Sequence, residues 1–306
     1  MPCFLPEGNL INTEENQAYI NSPERLREAM RSGKILEARA QLCDRAHNLR
    51  LTLGELKAII PREEGAIGIR EGRVRDIAVI SRVNRPVCFV VTDFTLDDNG
   101  EPLVVLSREK AQRRCREEYI DKLIPGDVID ACVSHIETFG IFADIGCGVS
   151  ALMPIDAISV SRIEHPRERF SVGMSIKAVV KSTESGRISL SHKELLGTWE
   201  ENAARFSPGE TVTGIIRSVE SYGAFVELAP NLAGLAETHP DAAKGMRASV
   251  YIKSVIPRKM KIKLIIIDTF GYSYSPQAPD YYITEGHIDR FLYSPQDSPK
   301  LVETYF

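Results

Sequence analysis

Apolar and polar positions alternate along this chain in short runs broken by glycine turns, the pattern of half-buried strands. The clearest run, "VIDACVSHI", sets Ile129, Ala131, Val133 and His135 on one face and Val128, Asp130, Cys132, Ser134 and Ile136 on the other. Both faces carry apolar residues, as expected of a strand that bends around a barrel. The run belongs to a repeat. "PGDVIDACVSHIETFGIFADIG" from Pro125 aligns with "PGETVTGIIRSVESYGAFVELA" from Pro208 at a constant offset of 83, and a more diverged copy precedes them. There "SGKILEARAQL" from Ser32 and "LKAIIP" from Leu56 match the middle copy at an offset of 93. A fixed register over this length marks a repeat architecture. Each copy reads as three apolar runs, a connecting stretch and two further runs, which predicts a small closed five-stranded antiparallel barrel. The glycines at 126, 140, 148, 173 and 186 fall at the predicted turns, where a residue without Cβ is favoured.

Helical patterns fill the gaps. Ser22, Pro23 and Glu24 open "SPERLREAMRSG" as a capped helix ending near Gly33, with Leu26 and Met30 on one face for packing on the first barrel. "SREKAQRRCREEYIDKL" (107–123) predicts a helical strut before the second barrel, and "ELLGTWEENAARF" (194–206) a similar one before the third. The organisation is therefore an N-terminal helical segment (1–32), a divergent first barrel (33–107), a helical linker (108–124), a second barrel (125–196), a linker (197–207), a third barrel (208–268) and a C-terminal extension (269–306). That extension holds nine aromatic residues, too many for an ordinary disordered tail. It is expected to fold back over the third barrel, where the connector after the third strand is short; an extra RNA or ribosome contact is the alternative.

In the second copy Phe139 and Phe142 flank a glycine, and Tyr222 and Phe225 do so in the third. A bulge at the glycine would let residues three apart point to one side. Rings exposed this way form a platform on which unpaired bases stack, whatever their sequence; alternatively, one ring of each pair belongs to the barrel core. Beside the rings runs a basic face. "KGMRASVYIKSVIPRKMKIKL" carries Lys244, Arg247, Lys253, Arg258, Lys259, Lys261 and Lys263 with no acidic residue, and Lys261 and Lys263 alternate with Ile262 and Leu264. The second copy offers Lys177, Lys181, Arg187, His192 and Lys193, with Arg162, His165, Arg167 and Arg169 in its connector. In the first copy, "DRAHNLRLTL" has His47 as its only ring, with Arg45 and Arg50 nearby, which suits a structural or docking role. Since 38 basic residues face 42 acidic ones, any nucleic-acid binding must come from such a local face.

These residues resemble the S-one RNA-binding domain, an OB-type barrel of the bacterial small ribosomal subunit and of polynucleotide phosphorylase. The motif is "PG(D/E)…(F/Y)G(I/A)F…G", then a "GxM" turn and "GRISLSHKE", strongest from 125 to 196, good from 208 to 268 and weak from 33 to 115. The fold class implied is mainly β: three tandem five-stranded OB-type barrels joined by short helices. The resemblance implies single-stranded RNA, as messenger RNA in translation, gripped by Phe139, Phe142 and Arg187 of the second barrel and Tyr222, Phe225 and Lys261 of the third, and the basic face read above adds Lys181, His192 and Lys253 as expected RNA-binding residues. It departs from the family at the third strand, where the usual "GLVHIS" histidine is replaced by Pro154 in "ALMPID" and by Glu237 in "GLAETH". An acid there repels phosphate.

Chemistry of other kinds lacks its motifs. No G-x-x-x-x-G-K-S/T loop occurs, "GAIG" (65–68) reads as a turn, and the six histidines are scattered singly. The six cysteines form no C-x-x-C pair, so unpaired thiols, a cytoplasmic setting and no metal or cofactor are expected. The longest apolar run is far shorter than the roughly 20 residues a membrane helix needs, and neither a membrane partner nor a small-molecule substrate is expected. A non-enzymatic RNA binder, with the small ribosomal subunit as a possible partner, is the first expectation; the second is a protein-docking adaptor of the ribosome or an RNA-processing assembly, with incidental RNA binding.

Overall fold

The computed structural model describes residues 4–273 and 276–306. The chain forms two compact units, Met1–Leu123 with Asp144–Ser150, and Ile124–Ala143 with Ala151–Phe306.

The first unit begins with α1 (Glu14–Ile20) and α2 (Pro23–Ser32). The Ser22 hydroxyl accepts from the Arg25 amide, Pro23 occupies the first turn, and Gly33 ends α2 at φ +63°, where a Cβ would be strained. Leu26 and Ala29 then pack into the core of the sheet beside Leu36, Leu51 and Phe89. The strands are β1 (Leu36–Arg39), β2 (Leu42–Cys43), β3 (Leu49–Leu53) and β4 (Leu56–Ile60), then, after the short α3 (Ile77–Ile80), β5 (Pro86–Leu96) and β6 (Pro102–Ser107). Their order is β1-β5-β6-β4-β3-β2, an open sheet of six where five closed strands were expected. The reason lies at Ala40–Gln41. The Ala40 amide donates to Arg85, and the next amide, of Gln41, turns to Arg50 on β3. The first strand is thereby split, half on β5 and half on β3. From Ser107, whose hydroxyl caps it, α4 (Arg108–Glu118) forms most of the expected strut.

The second unit holds two closed barrels. One consists of β7 (Val128–Glu137), β8 (Gly140–Asp144), β9 (Ser150–Pro154), β10 (Ser175–Ser182) and β11 (Ser189–Ser191). After α5 (Trp199–Ala203), the other consists of β12 (Thr211–Glu220), β13 (Gly223–Ala229), β14 (Leu232–Ala236), β15 (Arg247–Ile256) and β16 (Lys261–Phe270). Each closes through a parallel pairing of its third and fifth strands, Leu152 opposite Ser189 and Leu235 opposite Lys263. In β16 the alternation holds as read: Ile262, Leu264 and Ile266 point into the core while Lys261, Lys263, Ile265 and Ile267 face out.

The extension ends in the small hairpin of β17 (Arg290–Leu292) and β18 (Glu303–Tyr305); Tyr274 and Ser275 of that extension lie outside the described residues. It does more than cover the third barrel. The Val128 amide donates to Gly286, the Ile288 amide to Gly126, and the Tyr282 amide to Leu195. Ile288, Phe291 and Tyr293 share a single core with Trp199 of α5 and with Ile216, Val250 and Leu264 of the third barrel. The Tyr293 hydroxyl donates to the Asn231 carbonyl at 2.6 Å. The aromatics of the extension thus seal the joint between the second and third barrels. Cys43, Cys88, Cys115, Cys132 and Cys147 are in no disulfide, and Cys3 lies outside the described residues.

Candidate nucleic-acid interface

The β7–β8 turn carries Phe139, which is 54% exposed, and β8 carries Phe142, which is half-buried on the outer surface. Their rings meet edge to face, with centroids 6.2 Å apart and planes at 88°. In the third barrel Tyr222 is 65% exposed in the β12–β13 turn, and Phe225 stands half-buried on β13 at 6.3 Å and 90° from it. Two independent copies reach the same geometry, and none of the four rings is sealed in a core.

Glycine is required between the rings for a reason other than a bulge. A Cβ on Gly140 would lie 2.3 Å from the Met153 carbonyl oxygen, and one on Gly223 would lie 2.3 Å from that of Ala236. The first ring of each pair escapes strand alternation because it sits in the turn. The bulge of this hairpin lies instead on β12, between Ile216 and Ser218, where Arg217 is the extra residue.

Cross-strand register extends the third platform toward charge. Phe225 lies opposite Leu235, and Leu235 opposite Lys263, so ring, leucine and ammonium form one row across β13, β14 and β16. Lys261 is exposed at the start of β16. Lys253 is exposed on β15, with its Nζ 3.3 Å from a Glu237 carboxylate oxygen, so the acid that replaces the family histidine is paired with a cation. In the second barrel, Lys181 at the end of β10 and Arg187 just before β11 are both exposed. His135, which sequence reasoning did not select, adds a third ring beside Phe142, at 6.4 Å. Strict alternation places it with Ile129, Ala131 and Val133, which face the core; the structure shifts phase after Val133, turning His135 out and Ile136 in.

Three expectations for the basic face are corrected. His192 is 1% exposed; its Nδ1 lies 2.9 Å from the Ile158 carbonyl and its Nε2 3.0 Å from the Tyr281 hydroxyl. Burial lowers its pKa to about 4, so at neutral pH it is uncharged and out of reach of a phosphate. Arg169 is likewise withdrawn. With Glu168 it meets Arg217 and Glu227 of the third barrel: Arg169 Nη2 lies 2.6 Å from Glu227 Oε2, Arg217 Nε lies 2.8 Å from the same oxygen, and Arg217 also pairs with Glu168. His165 caps a short turn, accepting from the Arg167 amide. Arg162 and Arg167 remain exposed.

The first unit builds no platform. By the offset of the repeat, Ala46 and Leu49 take the places of the two rings, and Leu49 lies in the core. His47 is held 3.1 Å from Asp76, and Arg50 3.0 Å from Asp44.

Two closed barrels of this topology, each with paired surface rings beside a basic strand, define a tandem OB-fold protein. Residues 122–193 match the S1 RNA binding domain family, the S-one domain anticipated from the motif, and the chain resembles the bS1 proteins of bacteria. It is 28% identical over 217 residues to small ribosomal subunit protein bS1 of Rhodopseudomonas palustris, covering 69% of this chain and 36% of that one. It is 32% identical over 225 residues to the bS1 homolog of Bacillus subtilis, covering 66% and 58%. The chain thus spans between about a third and three fifths of the length of these curated relatives. Among solved structures, a multidomain protein with nucleic acid binding domains from Streptococcus pneumoniae is similar at 11% identity, over 76% of this chain and 73% of its own, with a TM-score of 0.25. No helix among the described residues is long and apolar enough to cross a membrane.

Proposed function

We propose that this protein holds single-stranded RNA, as messenger RNA at the small ribosomal subunit, on the second and third barrels, with bases stacked on the rings and phosphates met by Lys181, Arg187, Lys253 and Lys261. The observation that carries this is the duplicated pair of surface rings, Phe139 with Phe142 and Tyr222 with Phe225, each edge to face. Rings left in water on a barrel whose core is otherwise complete favour a ligand with a π face. The likeness to bS1 proteins supports the ribosomal setting.

The test is anisotropy of a labelled single-stranded RNA across a salt series. Each stacked base is worth roughly 1–3 kcal/mol, so Phe139→Ala/Phe142→Ala is expected to weaken binding by at least about 30-fold. If about five phosphates are neutralised, the log-log salt slope is roughly −3.5. A second reading, a protein-docking adaptor, draws on the cross-strand pair Tyr251 and Ile265, which is exposed on β15 and β16 beside Ile267. Unchanged RNA affinity in a folded double variant would favour it.

A further inference from the structure

Beside Phe225, the connector of the second barrel and the third barrel enclose a cavity of about 560 Å³, within the range of small-ligand sites. Ile163 on one side and Phe225 on the other supply apolar walls. Arg217 lines it too, but its charge is spent on Glu168 and Glu227. Glu164 and Lys244 line it as well and pair with each other, which leaves Arg162 and Glu220, both exposed and neither with an ionic partner among the described residues. A cation and a carboxylate held over one cavity without meeting each other are complementary to a ligand that brings an anion and a pair of donors.

We infer that this cavity receives one unpaired guanine of the RNA, next in line to the base on the Tyr222–Phe225 platform. The inference rests on the RNA-binding function proposed above and adds base selectivity to it. Phe225 offers the ring face and Arg162 meets the phosphate. An ionised carboxylate only accepts hydrogen bonds, with two oxygens side by side. Guanine alone among the four RNA bases presents two adjacent donors, N1–H and N2–H, on its Watson–Crick edge; uracil, adenine and cytosine each oppose an acceptor to one of the oxygens. Glu220 therefore selects guanine and leaves the sequence-tolerant stacking to the rings.

The experiment uses the full chain, a short uridine oligomer, and the same oligomer with one central guanosine. Wild type is expected to bind the guanosine oligomer about tenfold more tightly, the effect of hydrogen bonds to a charged acceptor. Glu220→Gln, a near-isosteric change at an exposed site, removes that preference and leaves the uridine affinity in place, which also reports that the fold is intact. Tyr222→Ala weakens both oligomers alike. Equal binding of the two oligomers by wild type, or a preference that survives Glu220→Gln, overturns the guanine site while leaving the platform standing. Failure of either oligomer to bind, or indifference of both to Tyr222→Ala, overturns the platform and the guanine site with it.

Discussion

Burial at His192 removes a charge that the sequence advertises. Its ring packs edge-on against Phe170 at 5.1 Å and against Tyr281 at 5.4 Å, with both nitrogens in hydrogen bonds. A proton there must be accommodated without water, and the nearby Arg169 opposes it further, so the folded pKa falls from 6.5 to about 4. The sign follows. Between those two values the unfolded chain binds a proton that the folded chain refuses, so stability is present above pH 6.5 and is lost as the pH falls toward 4. Urea unfolding of wild type and His192→Gln is expected to converge over that window, by up to roughly 1.4 kcal/mol per pH unit; parallel profiles would show that His192 carries no such linkage.

At the scale of elements, what could be read in advance was what local chemistry decides. The cap and stop of α2 at Ser22, Pro23 and Gly33, the lysines alternating with Ile262 and Leu264 in β16, and the ring pairs flanking Gly140 and Gly223 all follow from neighbours in sequence. What escaped depends on partners far along the chain. Arg169 and Glu168 look like a solvated charged loop until the β12 bulge brings Arg217 against them and Glu227 completes the group, 58 residues from Arg169. The split of the first strand at Ala40–Gln41 is set by which neighbour each amide finds, and the seat of Tyr281 and Tyr293 by the joint they fill. The buried ion group has an energetic signature. Glu227→Gln takes from Arg169 the carboxylate it pairs with and leaves Arg217 with Glu168, and removing one partner of a buried pair typically costs about 3–5 kcal/mol. Thermal unfolding should show a loss of that size, whereas a change under about 1 kcal/mol would mean that water screens the group.

Across the whole molecule, the surface ring pairs and the cations proposed to meet RNA lie on the second unit. The chain carries a net charge of −4, so any attraction for a polyanion must be local, and in the proposed function it falls to the lysines of β15 and β16 and the cations flanking β11. The first unit has Leu49 in its core where a ring would stand. The tail completes the core of the third barrel and reaches Val128 and Val179 of the second, giving the paired platforms a common support. Whether ring faces hold the bases is tested most directly at Tyr222, the most exposed of the four, by comparing single-stranded RNA affinity of wild type, Tyr222→Phe and Tyr222→Leu. Stacking predicts that phenylalanine keeps affinity within about twofold while leucine, apolar but without a π face, loses about tenfold; leucine binding as tightly as tyrosine would contradict it.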